Sequence, residues 1–87
     1  MTDDGARVAE RIRARLLTDF PPSQGKLDDD DDLLEEVFVD SMRILEASMF
    51  LEFEFGISLT RQDITGDNFQ TIAAMTAMVI RRSSADR

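Results

Sequence analysis

The chain has 87 residues, 18 Asp and Glu against 10 Lys and Arg, and a net charge of −8, enough for one small domain whose surface should repel phosphate backbones and attract basic protein faces. It contains neither Cys nor His, which removes disulfides, thiolate metal sites, thiol nucleophiles and the commonest general base. No signal-peptide pattern opens it and no apolar run nears the ~20 residues of a membrane span, so the expectation is a monomeric cytoplasmic domain with no nucleic acid, membrane or metal partner.

In residues 3–20 the apolar positions Val8, Ile12 and Leu16 recur every four residues. Ala9, Leu17 and Phe20 widen the stripe, and the pattern predicts a first helix. PPSQG at 21–25 ends it, because Pro21 disfavours a helical Phe20 and Gly25 adds freedom. The acidic run DDDDD follows at 28–32. It is not a calcium loop, since Leu33 stands where that motif needs Gly and Val39 where it needs Glu. The expectation for residues 21–40 is an acidic loop with Leu33 and Leu34 tucked into the core.

SMRILEASMFLEFEF at 41–55 predicts a second long helix stopped by Gly56. At about 100° per residue, Met42, Leu45, Met49 and Phe53 share one face, and Ile44, Ser48, Leu51 and Phe55 gather on nearly the opposite one. A helix apolar on two sides is expected to be the central one, with any uncovered remainder open to a partner. TRQDIT at 60–65 is expected to form at most a brief helical turn before a break at GDN. The last helix carries Phe69, Ile72, Met75 and Val79, with Asn68 or Thr71 as cap. Arg81 and Arg82 complement its dipole, and residues 83–87 are expected to fray. The fold expected is an all-α bundle of three longer helices and one short one, a single domain over residues 1–87 with its core in about 5–82.

Asp40 and Ser41 begin the second long helix, where either is a good N-cap. The block from Asp32 to Phe69, DLLEEVFVDSMRILEASMFLEFEFGISLTRQDITGDNF, resembles the acyl carrier protein family of phosphopantetheine-binding domains. DSM is similar to the family's Asp-Ser-Leu/Met, and it is followed by the Leu45-Glu46 pair, by LEFEFGI at 51–57, and by Phe69 and Thr71 in the family's Phe-x-Thr phrase.

The resemblance implies a four-helix carrier fold without catalysis of its own. A phosphopantetheinyl transferase would attach 4'-phosphopantetheine to Ser41, with Asp40 completing the attachment motif, and the arm's thiol would hold an acyl or aminoacyl thioester. Further partners implied are a loading ligase or transferase and a downstream synthase or tailoring enzyme. The wording around the motif looks most similar to discrete carriers of polyketide or nonribosomal-type pathways. Met42, Arg43, Ile44 and Glu46 are the expected partner-recognition residues, and Phe50 is a further docking candidate.

Two positions depart from the family. Val37 stands where a Gly is usual, so the loop before Ser41 should run differently if that Gly has positive φ. Arg43 stands where an acidic or neutral residue is common, either altering partner fit or pairing with Glu46 or the acidic loop. Met42, Met49, Met75 and Met78 either fill the core or line a cleft for a tethered chain. Two other readings stay open: an acidic interaction module with Ser41 as a cap only, and an enzyme with Ser41 as nucleophile, for which Lys26 and carboxylates are the only bases.

Overall fold

A computed structural model describes residues 3–38 and 40–85. It is an all-helical bundle, with no strand among the described residues. Helix α1 spans Asp3–Asp19, α2 Leu33–Glu36, α3 Ser41–Phe55, α4 Gly66–Phe69 and α5 Ile72–Ala85. The three long helices stand where the apolar periodicity puts them. There are two one-turn helices rather than one: α2 interrupts the acidic loop, and GDN, expected as a break, lies within α4.

Helix α1 buries Ala9, Ile12 and Leu16. The Phe20 N–H still bonds the Leu16 carbonyl at 2.8 Å, and the chain leaves at Pro21. Gly25 closes the following turn at φ 76°, a left-handed value that favours glycine. Three aspartates of the run beyond it have carboxylate partners. Asp29 takes the Arg13 guanidinium, an Asp31 carboxylate oxygen accepts the Asp28 N–H, and Asp32 caps α2 through the Leu34 N–H. Backbone bonds fasten this loop to the junction of α4 and α5, from the Leu33 N–H to Gln70 and from the Ala73 N–H to Asp29.

Helix α5, not α3, is the central element, packed most extensively on α1 and α4. Ile72, Met75, Met78 and Val79 are buried on it, and the Thr71 hydroxyl caps it by accepting the Ala74 N–H at 2.9 Å. It runs past Arg81 and Arg82 to Ala85, further than expected; residues 86 and 87 of the predicted tail lie outside the described residues. Helix α3 covers the core with one face only, through Ala47, Ser48 and Leu51. It stops at Gly56, whose φ of 64° and ψ of 37° make a left-handed cap.

The link from α3 to α4 is held by one buried carboxylate. Asp63 accepts the N–H and hydroxyl of Thr60 and both meets and hydrogen-bonds Arg82, 19 residues away on α5. Its main chain also matters, since the Asp63 carbonyl accepts from the Asn68 side chain. The Arg82 hydrogen bond, and then the Thr60 N–H, hold its carboxyl below the ordinary value of 3.8, against the opposing effect of burial.

A lowered folded-state pKa means that the contribution is complete above about pH 4 and is lost as pH falls through the lower folded value. Asp63→Asn should cost about 1–2 kcal/mol at neutral pH, less than for a fully buried pair because Arg82 is partly exposed. Urea unfolding at a series of pH values should show the gap to wild type narrowing once the pH drops below 4.

Candidate functional site

The candidate site is the start of α3, and the segment before it is anchored from below. Val37 and Phe38 are buried, and Phe38 lies edge-on to both Phe20 and Phe69, at centroid distances of 6.4 and 6.0 Å. This aromatic trio joins the end of α1, the segment after α2 and helix α4. Val37 has φ −125°, and no non-glycine residue among those described has positive φ. The loop therefore does run differently from one built on a left-handed Gly: Val37 keeps a negative φ and sinks its side chain into the core.

Arg43 completes the anchor. Its guanidinium donates to the Val37 carbonyl at 2.9 Å and lies over the Phe20 ring, 5.1 Å from the centroid. Among the described residues it pairs with neither Glu46 nor an aspartate of the acidic loop, and its contact is an inward one. Val37 and Arg43 thus touch each other.

The register of the helix start decides the role of Ser41. Asp40 has extended backbone, φ −148° and ψ 168°, and its carboxylate accepts the Arg43 N–H at 3.0 Å. Asp40 is therefore the N-cap and Ser41 the first helical residue. The Ser41 side chain is exposed and makes no hydrogen bond among the described residues. The first turn of α3 carries no acidic residue. The amides of Ser41 and Met42 lack intrahelical acceptors, as in the first turn of any helix, so the position suits an esterified phosphate.

Of the expected recognition residues, Met42 is 60% exposed and Glu46 is also exposed. Arg43 is half-buried in the anchor, and Ile44 is partly buried against the core, so each offers only part of its surface. Phe50 is half-buried too, edge-on to Phe55. The methionines do not line one cleft: Met75 and Met78 are fully buried, whereas Met42 and Met49 face outward. Leu45, Met49 and Phe53 are the exposed neighbours that the recognition set omits, although their four-residue spacing was visible in the sequence. A groove lined by Arg7, Arg11, Glu54, Phe55 and Ile80 borders the far end of α3 and takes no part in the Ser41 site.

No protein-family model matches the chain, and no curated protein matches it. Among the described residues no helix is long and apolar enough to cross a membrane.

Because the carboxylate and not the hydroxyl caps α3, Asp40→Ala should lower stability by about 1 kcal/mol. Ser41→Ala should stay within about 0.5 kcal/mol of wild type. Chemical denaturation of both variants measures the difference; the reverse ranking would move the cap to Ser41.

Proposed function

We propose that this chain is an acyl or aminoacyl carrier whose Ser41 bears 4'-phosphopantetheine, serving a polyketide or nonribosomal-type pathway. The observation that carries the reading is the division of labour at the start of α3. Asp40 satisfies the helix end, which leaves the Ser41 hydroxyl exposed and unengaged at a helix N-terminus. In the alternative, an acidic interaction module, the capping role would fall to Asp40 and not to Ser41.

The residues present fit the group. Ser41 supplies the oxygen of the phosphodiester, and the free amides of the first turn face negative charge favourably. Asp40 would repel a phosphate if its carboxylate swung free, but one oxygen is held on the Arg43 N–H, inside the cap. When attached, the arm supplies the thiol that a chain without Cys lacks. The proton of the Ser41 hydroxyl would leave to a base on the phosphopantetheinyl transferase, since this chain has no His or Cys and the neighbouring Asp40 carboxylate is engaged in the cap. A loading ligase or transferase would charge the thiol, and a synthase or tailoring enzyme would use the thioester. The anchor beneath the loop gives these partners a preformed site, so little ordering cost falls on binding.

Coexpression with a phosphopantetheinyl transferase of broad specificity, followed by intact mass measurement, tests the proposal. Wild type should gain one phosphopantetheine and Ser41→Ala none. An unmodified wild type, or a modified Ser41→Ala, sinks it.

A further inference from the structure

Ser41 is bracketed by contacts that converge on Arg43. Upstream, the N–H groups of Val37 and Phe38 both bond the Leu33 carbonyl, at 2.8 and 2.6 Å, and both side chains are buried. Downstream, α3 starts at Ser41 with Asp40 as its cap. Arg43 reaches both sides. Its guanidinium donates to the Val37 carbonyl at 2.9 Å, and its main-chain N–H is the donor that the Asp40 carboxylate accepts at 3.0 Å. Among the described residues it is the one side chain that donates a hydrogen bond to the main chain of residues 37–41.

The residue type matters here. A guanidinium carries several N–H donors in its plane and also presents a flat face, so one side chain can bond a carbonyl and lie over a ring. Arg43 does both, with the Phe20 centroid 5.1 Å away. Phe20 meets Phe38 edge-on and Phe38 meets Phe69, both of these last two buried, so the guanidinium rests on an aromatic row that reaches into the core. A lysine could donate to the carbonyl but has no flat face for the ring.

The effect on a reaction at Ser41 can be located. An enzyme acting on the hydroxyl needs residues 37–41 in one arrangement. If they are not fixed beforehand, the ordering cost falls on binding and raises KM. Once bound, the hydroxyl reacts as before and kcat is spared.

We infer that Arg43 is a positioning residue for the modification of Ser41, acting inward through Val37 and Phe20 and touching neither the attached group nor the transferase. That role rests on the carrier reading, and it differs from the surface recognition expected of Arg43.

Steady-state transfer of phosphopantetheine to the full chain by a transferase of broad specificity tests it. Arg43→Met keeps an unbranched stem and removes the guanidinium; it should raise KM for the chain about tenfold with kcat little changed. Arg43→Lys should fall between Met and wild type. Asp63→Asn, in the link before α4, should keep the wild-type KM, so that lost stability is not mistaken for lost positioning. Wild type and Arg43→Met should share nearly the same dependence of kcat/KM on salt, because an inward charge takes little part in steering. Apart from transfer, hydrogen exchange followed by nuclear magnetic resonance should quicken about tenfold at the amide of residue 43 in Arg43→Met, and by less in α5. An unmodified wild type sinks the carrier reading and this role with it. A modified wild type whose KM Arg43→Met shares overturns the positioning role alone. So does a salt dependence that Arg43→Met flattens, or unchanged exchange at residue 43.

Discussion

The burial of Val37 and Phe38 is the constraint on which the rest of the structure turns. These two residues follow a run of carboxylates and precede α3, and both lie in the core. Their burial draws the acidic segment across the bundle, where backbone bonds tie Leu33 to Gln70 and Asp29 to Ala73. It also brings Phe38 between Phe20 and Phe69, so that three segments distant in the chain share one aromatic contact. A small domain buries only about 60% of its unfolded surface, and it cannot leave two such side chains outside. The acidic loop is therefore held by its apolar ends, and its charges face solvent or local partners.

From that anchor the geometry of the site follows in short steps. With Val37 fixed, its carbonyl is available to Arg43, whose guanidinium also finds the Phe20 ring. A side chain that sequence comparison alone treats as a surface charge is thereby half-buried. The cation–π and hydrogen-bond contacts replace hydration that Arg43 gives up. The consequence for function is that α3 presents carboxylates and apolar groups outward and keeps its positive charge beneath.

The long helices were legible because amphipathic periodicity is a strong signal, and α3 in particular spans the residues its pattern marks. What covers each face was not legible. Two apolar faces on α3 argued for a central position, yet an 87-residue chain has too few long helices to wrap both. Helix α5, with its buried Met75 and Met78, takes the centre instead. The one-turn helices escaped for another reason: four residues carry too little periodicity to register, and their ends are set by caps such as Asp32 and Thr65. The Asp63–Arg82 pair was hidden by sequence separation, since nothing local connects two residues 19 apart.

The start of α3 shows where composition stops being informative. Asp and Ser rank almost equally as N-caps, so the dipeptide at 40 and 41 admits two registers one residue apart. Choosing between them requires the backbone, and here the backbone is governed from outside the dipeptide. Val37 and Phe38 enter the core, Arg43 reaches back to Val37, and the chain then turns into the helix with Asp40 extended and its carboxylate over the Arg43 N–H. A shift of one residue would take Ser41 out of the helix to serve as cap and release the Asp40 carboxylate from the Arg43 N–H. Arg43 is held in its place by the Val37 carbonyl and the Phe20 ring. The register is thus set by the packing around Arg43 and not by the small difference in capping preference between two neighbouring residues.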